Sequence, residues 1–265
     1  MIRLLQLELQ KLLLNRTSKV LIFISFILPL CVIVLSAIKI NFFGFFTLEL
    51  GELGIFNFPM VWHITTYFSA LFKFFFAIVV VSMIGNEYSN KTLKQNLIDG
   101  LSKKEFILSK FYAIAFFSLI STLIIFCISL ILGLVYSSYN EINIIIREIE
   151  FLPAYFIKLV GFFSFCLFLV VLAKRSAFAL AFLFVDFIFE WIVFGLISWK
   201  SDMALAIKVQ NFFPLTSMSN LIKKPFQRVA MTKFPNKNDL DYDYAVHFDS
   251  MLIVALWVVV LVGAG

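Results

Sequence analysis

The sequence predicts an all-α integral membrane protein: six transmembrane helices preceded by an amphipathic helix at the membrane interface. Three observations predict it. Of 265 residues, 62% are apolar and only 14% charged, with a mean hydropathy of +0.99, against about 45–50% and about 25% in soluble domains. That leaves too little polar side chain to cover a water-facing globule. The apolar residues form continuous runs rather than alternating ones, which argues against a β-barrel. The 35 phenylalanines suit lipid-facing surfaces.

Residues 1–16 begin MIRLLQLELQKLLL, with Ile2, Leu5, Leu9, Leu12 and Leu13 on one helical face and Arg3, Gln6 and Gln10 on another. That pattern suits a short helix lying along the inner membrane surface. Asn15, Arg16, Thr17 and Ser18 supply turn and capping residues before the first span. An α-helix crossing about 30 Å of hydrocarbon needs roughly 20 apolar residues. Residues 20–38 meet this without a charge, with a kink expected at Pro29. Residues 62–84 meet it with one charge, Lys73, and 111–136 with none. Residues 151–173 carry Lys158 near their start, and 177–199 carry Asp186 and Glu190. The sixth span, 246–265, contains a shorter uncharged run from Ser250. A run of that length spans only about 24 Å, so the helix borrows residues from about Ala245 or the chain stops early. No cleavable signal peptide is expected, because the first apolar segment is long enough to stay as a span. Cys31, Cys127 and Cys166 all lie inside apolar runs, so no disulfide framework is expected.

Lysine and arginine in short loops set the orientation. With the N-terminus in the cytoplasm, the inner pieces hold Arg3, Lys11, Arg16 and Lys19, then Lys91, Lys94, Lys103, Lys104 and Lys110, then Lys174 and Arg175. The short outer loops hold only Lys39 and Arg147. Residues 200–249 carry seven basic residues on the outside, but long loops weigh little in this rule. The net charge of +6 therefore reads as a topology signal, not as a nucleic-acid surface.

The stretch from Gly85 to Lys110, GNEYSNKTLKQNLIDGLSKKEFILSK, is far longer than a connector requires. It reads as a helix, a break at Asp99-Gly100, and a second helix opened by a capping box of Ser102 and Glu105. In it Glu87, Tyr88, Thr92, Leu93, Leu97, Gly100, Leu101, Ser102 and Lys103 stand in order, with Lys110 opening the next span. This series resembles the coupling region of type-2 ABC transporter permeases. Six spans, an interfacial helix and a large outer region before the last span are similar to the same family. The chain departs from it at the end, where the family's short basic tail is missing.

The resemblance implies a permease subunit of an ATP-driven transporter, an exporter in the cell's inner (cytoplasmic) membrane. Its implied partners are a second permease subunit, identical or not, and ABC ATPase subunits that bind ATP and Mg. Residues 86–105 would form the coupling loop, with Glu87, Tyr88, Thr92, Leu93, Lys94, Leu97, Gly100, Ser102 and Lys103 meeting the ATPase. Leu93 and Leu97, at i and i+4, would be the apolar anchors, and Glu87 and Lys94 would steer. The sequence has no G-x-x-x-x-G-K-[ST] phosphate loop, so the chain itself is expected to be no enzyme and to bind no cofactor. Two other classes compete: an integral membrane enzyme acting on lipid head groups, and a non-catalytic membrane scaffold. Only the 86–105 loop offers clustered polar residues for the former.

Ionisable groups at membrane depth face protein or water. Lys73 and Glu190 lie at similar depths, roughly 13–17 Å from the outer surface by residue count, so they could pair, line a substrate path, or stand alone. Asp186 shares a helical face with Glu190. Lys158, nearer its end, is expected to snorkel. In the outer segment, 200–245, Pro214, Pro225 and Pro235 divide the chain, and 212–222 is apolar enough to re-enter the membrane. Asp239, Asp241 and Asp243 copy the start of a calcium loop that lacks its glycine and final glutamate. His63 and His247 are each expected to be isolated near an outer boundary, and no metal site is expected.

Overall fold

A computed structural model describes residues 2–37, 40–42, 46–48, 54–98, 100–138, 141–226, 228–229 and 243–265. The chain opens with α1 (Ile2–Leu14) and α2 (Arg16–Ala37). The side chain of Asn15 separates them by accepting from the N–H groups of Thr17 (3.0 Å) and Ser18 (3.4 Å), an N-cap for α2. Helix α2 continues through Pro29. Two short strands, β1 (Ile40–Phe42) and β2 (Phe46–Leu48), follow as an antiparallel pair with Asn41 opposite Thr47, a local departure from the all-helical expectation.

Next come α3 (Met60–Leu71) and α4 (Lys73–Ser89), which the sequence reads as one span. They are bent by 44°. The cause is local: Phe72 donates to Ser69 and Phe75 to Phe72, i→i−3 bonds that overtighten the ladder without any proline or glycine. A short α5 (Thr92–Ile98) leads to the 34-residue α6 (Lys103–Tyr136). At roughly 51 Å, α6 exceeds a hydrocarbon layer of about 30 Å, so its first turns extend beyond the span expected at 111–136. Then follow α7 (Ile142–Ile146), α8 (Phe151–Ala173), α9 (Ser176–Lys200), α10 (Met203–Gln210), α11 (Pro214–Asn220) and α12 (Phe248–Ala264). Four helical segments are long and apolar enough to cross a membrane, and the bent α3–α4 pair makes a fifth. Helix α12, with 17 residues, is shorter.

Helix α8 is the axis of the bundle. Its span is 67% buried, against 6% for α9, which leaves most of its phenylalanines and tryptophans exposed. Gly161 explains how α11 and α12 close on α8: a Cβ there would lie 2.8 Å from Val254 and 3.3 Å from Met218. Hydroxyls tie the interior across helices, Thr65 to Ser129 (2.6 Å) and Ser121 to Tyr155 (2.9 Å), which satisfies groups that apolar surroundings would otherwise strand. The bundle has two distinct ends. One gathers α1, α5, the start of α6 and the α8–α9 turn, where Gly85 abuts the Ser176 backbone. The other carries α7, α10 and α11. The last residue of the chain lies near Ile107 of α6, so α12 runs from the second end towards the first.

Candidate functional site

At the α1 end the local sequence shapes every turn. Gly100 adopts φ +98°, a conformation that L side chains rarely take, and it separates α5 from α6. Ser102 then caps α6: its hydroxyl accepts from the Glu105 N–H (3.2 Å), and Glu105 accepts from the Ser102 N–H (2.9 Å). The Ser102 hydroxyl and N–H hold the Glu105 carboxyl below its ordinary pKa. Helix α5 is tied back to α4 by the Thr92 hydroxyl, which donates to the Glu87 carbonyl (3.3 Å). Ser102 and Lys103 are exposed, and Tyr88 is half-buried against the core. The side chains of Leu93, Lys94 and Leu97, the expected anchors and steering base, lie outside the described residues.

Behind α5 stands a closed cluster of charges. Lys110 of α6 is completely buried and pairs with Glu87 of α4 (2.6 Å) and with Glu8 of α1. Lys11 of α1 spans the same two acids, 3.2 Å from Glu8 and 3.1 Å from Glu87. Burying an ion costs several kcal/mol unless partners compensate it. Here two bases meet two acids. Burial pushes the Lys11 ammonium down, but Glu8 and Glu87 outweigh it and its pKa is raised. Glu87 is buried at 7% exposure, and its Oε2 has no hydrogen-bond partner among the described residues. Its Oε1 joins α4 to α1 and α6. The packed side of α1 includes Glu8 beside Leu9 and Leu12, and Leu13 is exposed.

The second concentration of buried charge surrounds α11. The Glu190 carboxylate of α9 accepts from the N–H groups of Leu215 (2.8 Å) and Thr216 (2.9 Å) and from the Thr216 hydroxyl (2.7 Å). It caps the N-terminus of α11, where the helix dipole favours an anion. At the other end of α11, Lys158 of α8 donates to the Ser219 carbonyl (3.0 Å) and is buried rather than snorkelling. The two charges bracket one short helix whose Met218, followed by Leu221 and Ile222, is buried in the core. Lys73 and Glu190 do not meet, contrary to the pairing that equal depth suggested. The Lys73 ammonium lies over the Phe162 ring, 4.1 Å from its centroid. Depth fixes one coordinate of a side chain; the direction it takes around the helix decides its partner. Asp186 is half-buried, and its Oδ2 has no hydrogen-bond partner among the described residues.

A family model described as ABC-2 family transporter protein matches residues 4–190, more than half of the chain. The chain belongs to the ABC-2 transporter family. It is a multi-pass membrane protein, a permease component of ABC transporters. The curated proteins and the solved structures gave no match. The ABC-2 match includes α1 from its third residue and the whole Glu8–Lys11–Glu87–Lys110 cluster, and it ends at the residue that caps α11.

In this ABC-2 protein several residues escaped sequence reasoning. His63 is not isolated: it is fully buried, stacked on Phe151 (4.4 Å), with Nε2 donating to the Lys223 carbonyl (2.8 Å). Its Nδ1 accepts from Arg228 (3.3 Å), which forks onto Glu148 (2.8 and 2.6 Å). His247 lies 2.6 Å from Asp243. Glu8 could have been found as an acid on the apolar side of α1, and α11 from the Pro214 that opens it. Among the described residues no group of three His, Cys, Asp or Glu could hold a metal. The acidic stretch at 239–242 lies outside the described residues.

Proposed function

We propose that this chain is the membrane-spanning half of an ATP-driven exporter, working as a dimer of permeases with a separate ABC ATPase that binds ATP and Mg. The N-terminus and α5 face the cytoplasm of an inner membrane, α1 lies along its surface, and α12 is the sixth span. The basic residues of the short loops support this orientation, and the course of α12 towards Ile107 supports a crossing. The observation that carries the reading is the closed ion cluster at the root of α5. It links α1, α4 and α6 rigidly, so a push on α5 is delivered to two spans at once. Leu93, Lys94, Leu97 and the exposed residues Ser102 and Lys103 form the docking element. An enzyme acting on lipid head groups would need clustered free acids in residues 86–105, but of the three acids there Glu87 is engaged in the ion cluster and Glu105 in the helix cap, which leaves Asp99 alone.

The test is Leu97→Asp in the complex purified with its ATPase. The expected outcome is loss of the ATPase from the membrane, or ATP hydrolysis without transport, in a chain that still folds. Full transport with the ATPase bound at its normal stoichiometry would remove α5 from the mechanism.

A further inference from the structure

A cavity of about 280 Å³ lies between α3, α4, α8, α9 and α11, and both Lys73 and Lys158 line it. Neither lysine has a carboxylate at ion-pair distance among the described residues. Among the described residues the Lys73 ammonium lies over the faces of Phe162 and, at 5.8 Å, Phe74. Lys158 gives one hydrogen bond to Ser219, and an ammonium has three donors. Glu190 is committed to the start of α11, and Asp186 is not among the residues lining the cavity. With no described carboxylate beside them, it is costly for both lysines to carry charge in one apolar chamber, and an acidic group between them would stabilise their charged forms. A helix start adds to the field: α4 begins at Lys73 with no side-chain cap, so its positive dipole end lies in mid-span beside the cavity.

The size and rim of the chamber narrow the ligand further. At about 280 Å³ the chamber has room for a small acidic head group. Around it stand Leu71, Phe74, Phe184 and Phe187, apolar and exposed, a surface on which hydrocarbon could lie. We propose that this cavity binds an anionic amphiphile, with its acidic head between Lys73 and Lys158 and its apolar part along Phe74, Phe184 and Phe187. Taken as the class of cargo, this rests on the permease reading; the binding itself does not.

The experiment uses the full chain in detergent micelles, with bound lipid read by native mass spectrometry after titration with phosphatidylglycerol or phosphatidylcholine of the same acyl chains. The wild-type chain retains phosphatidylglycerol at least about tenfold more tightly. Lys73→Gln with Lys158→Gln abolishes that preference, and the paired Lys→Arg variant restores it. Equal retention of the two lipids by the wild-type chain would overturn the proposal, and that comparison needs no variant to fold. An undiminished preference in the paired Gln variant would also overturn it. Displacement of the lipid by equimolar inorganic phosphate would overturn the amphiphile and leave a site for free anions. Failure of Leu97→Asp to uncouple would count against α5 as the docking element and leave these results untouched.

Discussion

The two groups of buried charge in this ABC-2 protein solve the same problem in opposite ways. At the α1 end, Glu8, Lys11, Glu87 and Lys110 neutralise one another within about one side-chain length. Around α11, Lys73, Lys158 and Glu190 stay apart, each answered by a ring face, a helix carbonyl or helix N–H groups. A closed set of ion pairs has one geometry and resists opening, as a mechanical joint must. A set held by backbone and π faces leaves its cations able to accept another partner. The difference separates a part that transmits from a part that binds.

The comparison breaks most visibly at Lys110. Lys110→Met leaves Glu8 and Glu87 buried side by side, at an expected cost of about 3–5 kcal/mol. Glu8→Gln and Glu87→Gln added to it should restore most of that stability, measured by thermal unfolding in detergent. Three costs that simply add would mean that these residues do not act together.

Around α11 the effects should be smaller and independent. Glu190→Ala strands the Leu215 and Thr216 N–H groups and should cost about 1–3 kcal/mol. Combined with Lys73→Met it should be additive within about 0.5 kcal/mol, since the two side chains do not touch. A larger coupling would restore the ion pair that depth alone suggested. Gly161→Ala sharpens the point that packing seats α11. The new Cβ must displace Val254 of α12, for about 1–3 kcal/mol, without altering lipid retention at Lys73 and Lys158.

The smallest effect belongs to the cap of α6. Ser102→Ala should cost about 1 kcal/mol, seen as faster amide exchange in the first turn of α6. Because the Glu105 carboxyl titrates below its ordinary value, the cap's contribution is complete above the usual carboxylate range. It fades as pH falls through the lowered folded pKa. First-turn exchange, corrected for its intrinsic pH dependence, should therefore accelerate only in acid.

What was legible in the sequence was whatever depends on neighbours along the chain. The long apolar helices, the Ser102–Glu105 box and the Gly100 break follow from local spacing, and each occurs where its residues stand. Partners across the fold were not legible. Nothing near Glu190 points to Leu215 and Thr216, because that site exists only after Pro214 has started α11. The bend at Phe72 has no breaker residue to announce it. Lys110 was read as a membrane-boundary marker, since sequence gives its position along α6 but not the arrival of Glu8 from α1.

The central claim is that the α1 end transmits while the α11 cavity binds. The direct measurement is ATP hydrolysis by the reconstituted complex in phosphatidylglycerol against phosphatidylcholine. It compares the wild-type chain with Glu8→Gln/Glu87→Gln/Lys110→Met. Phosphatidylglycerol should raise hydrolysis with the wild-type chain. It should have no effect with the neutralised junction, although that chain still retains the lipid and the ATPase. Equal stimulation in both complexes would contradict the account.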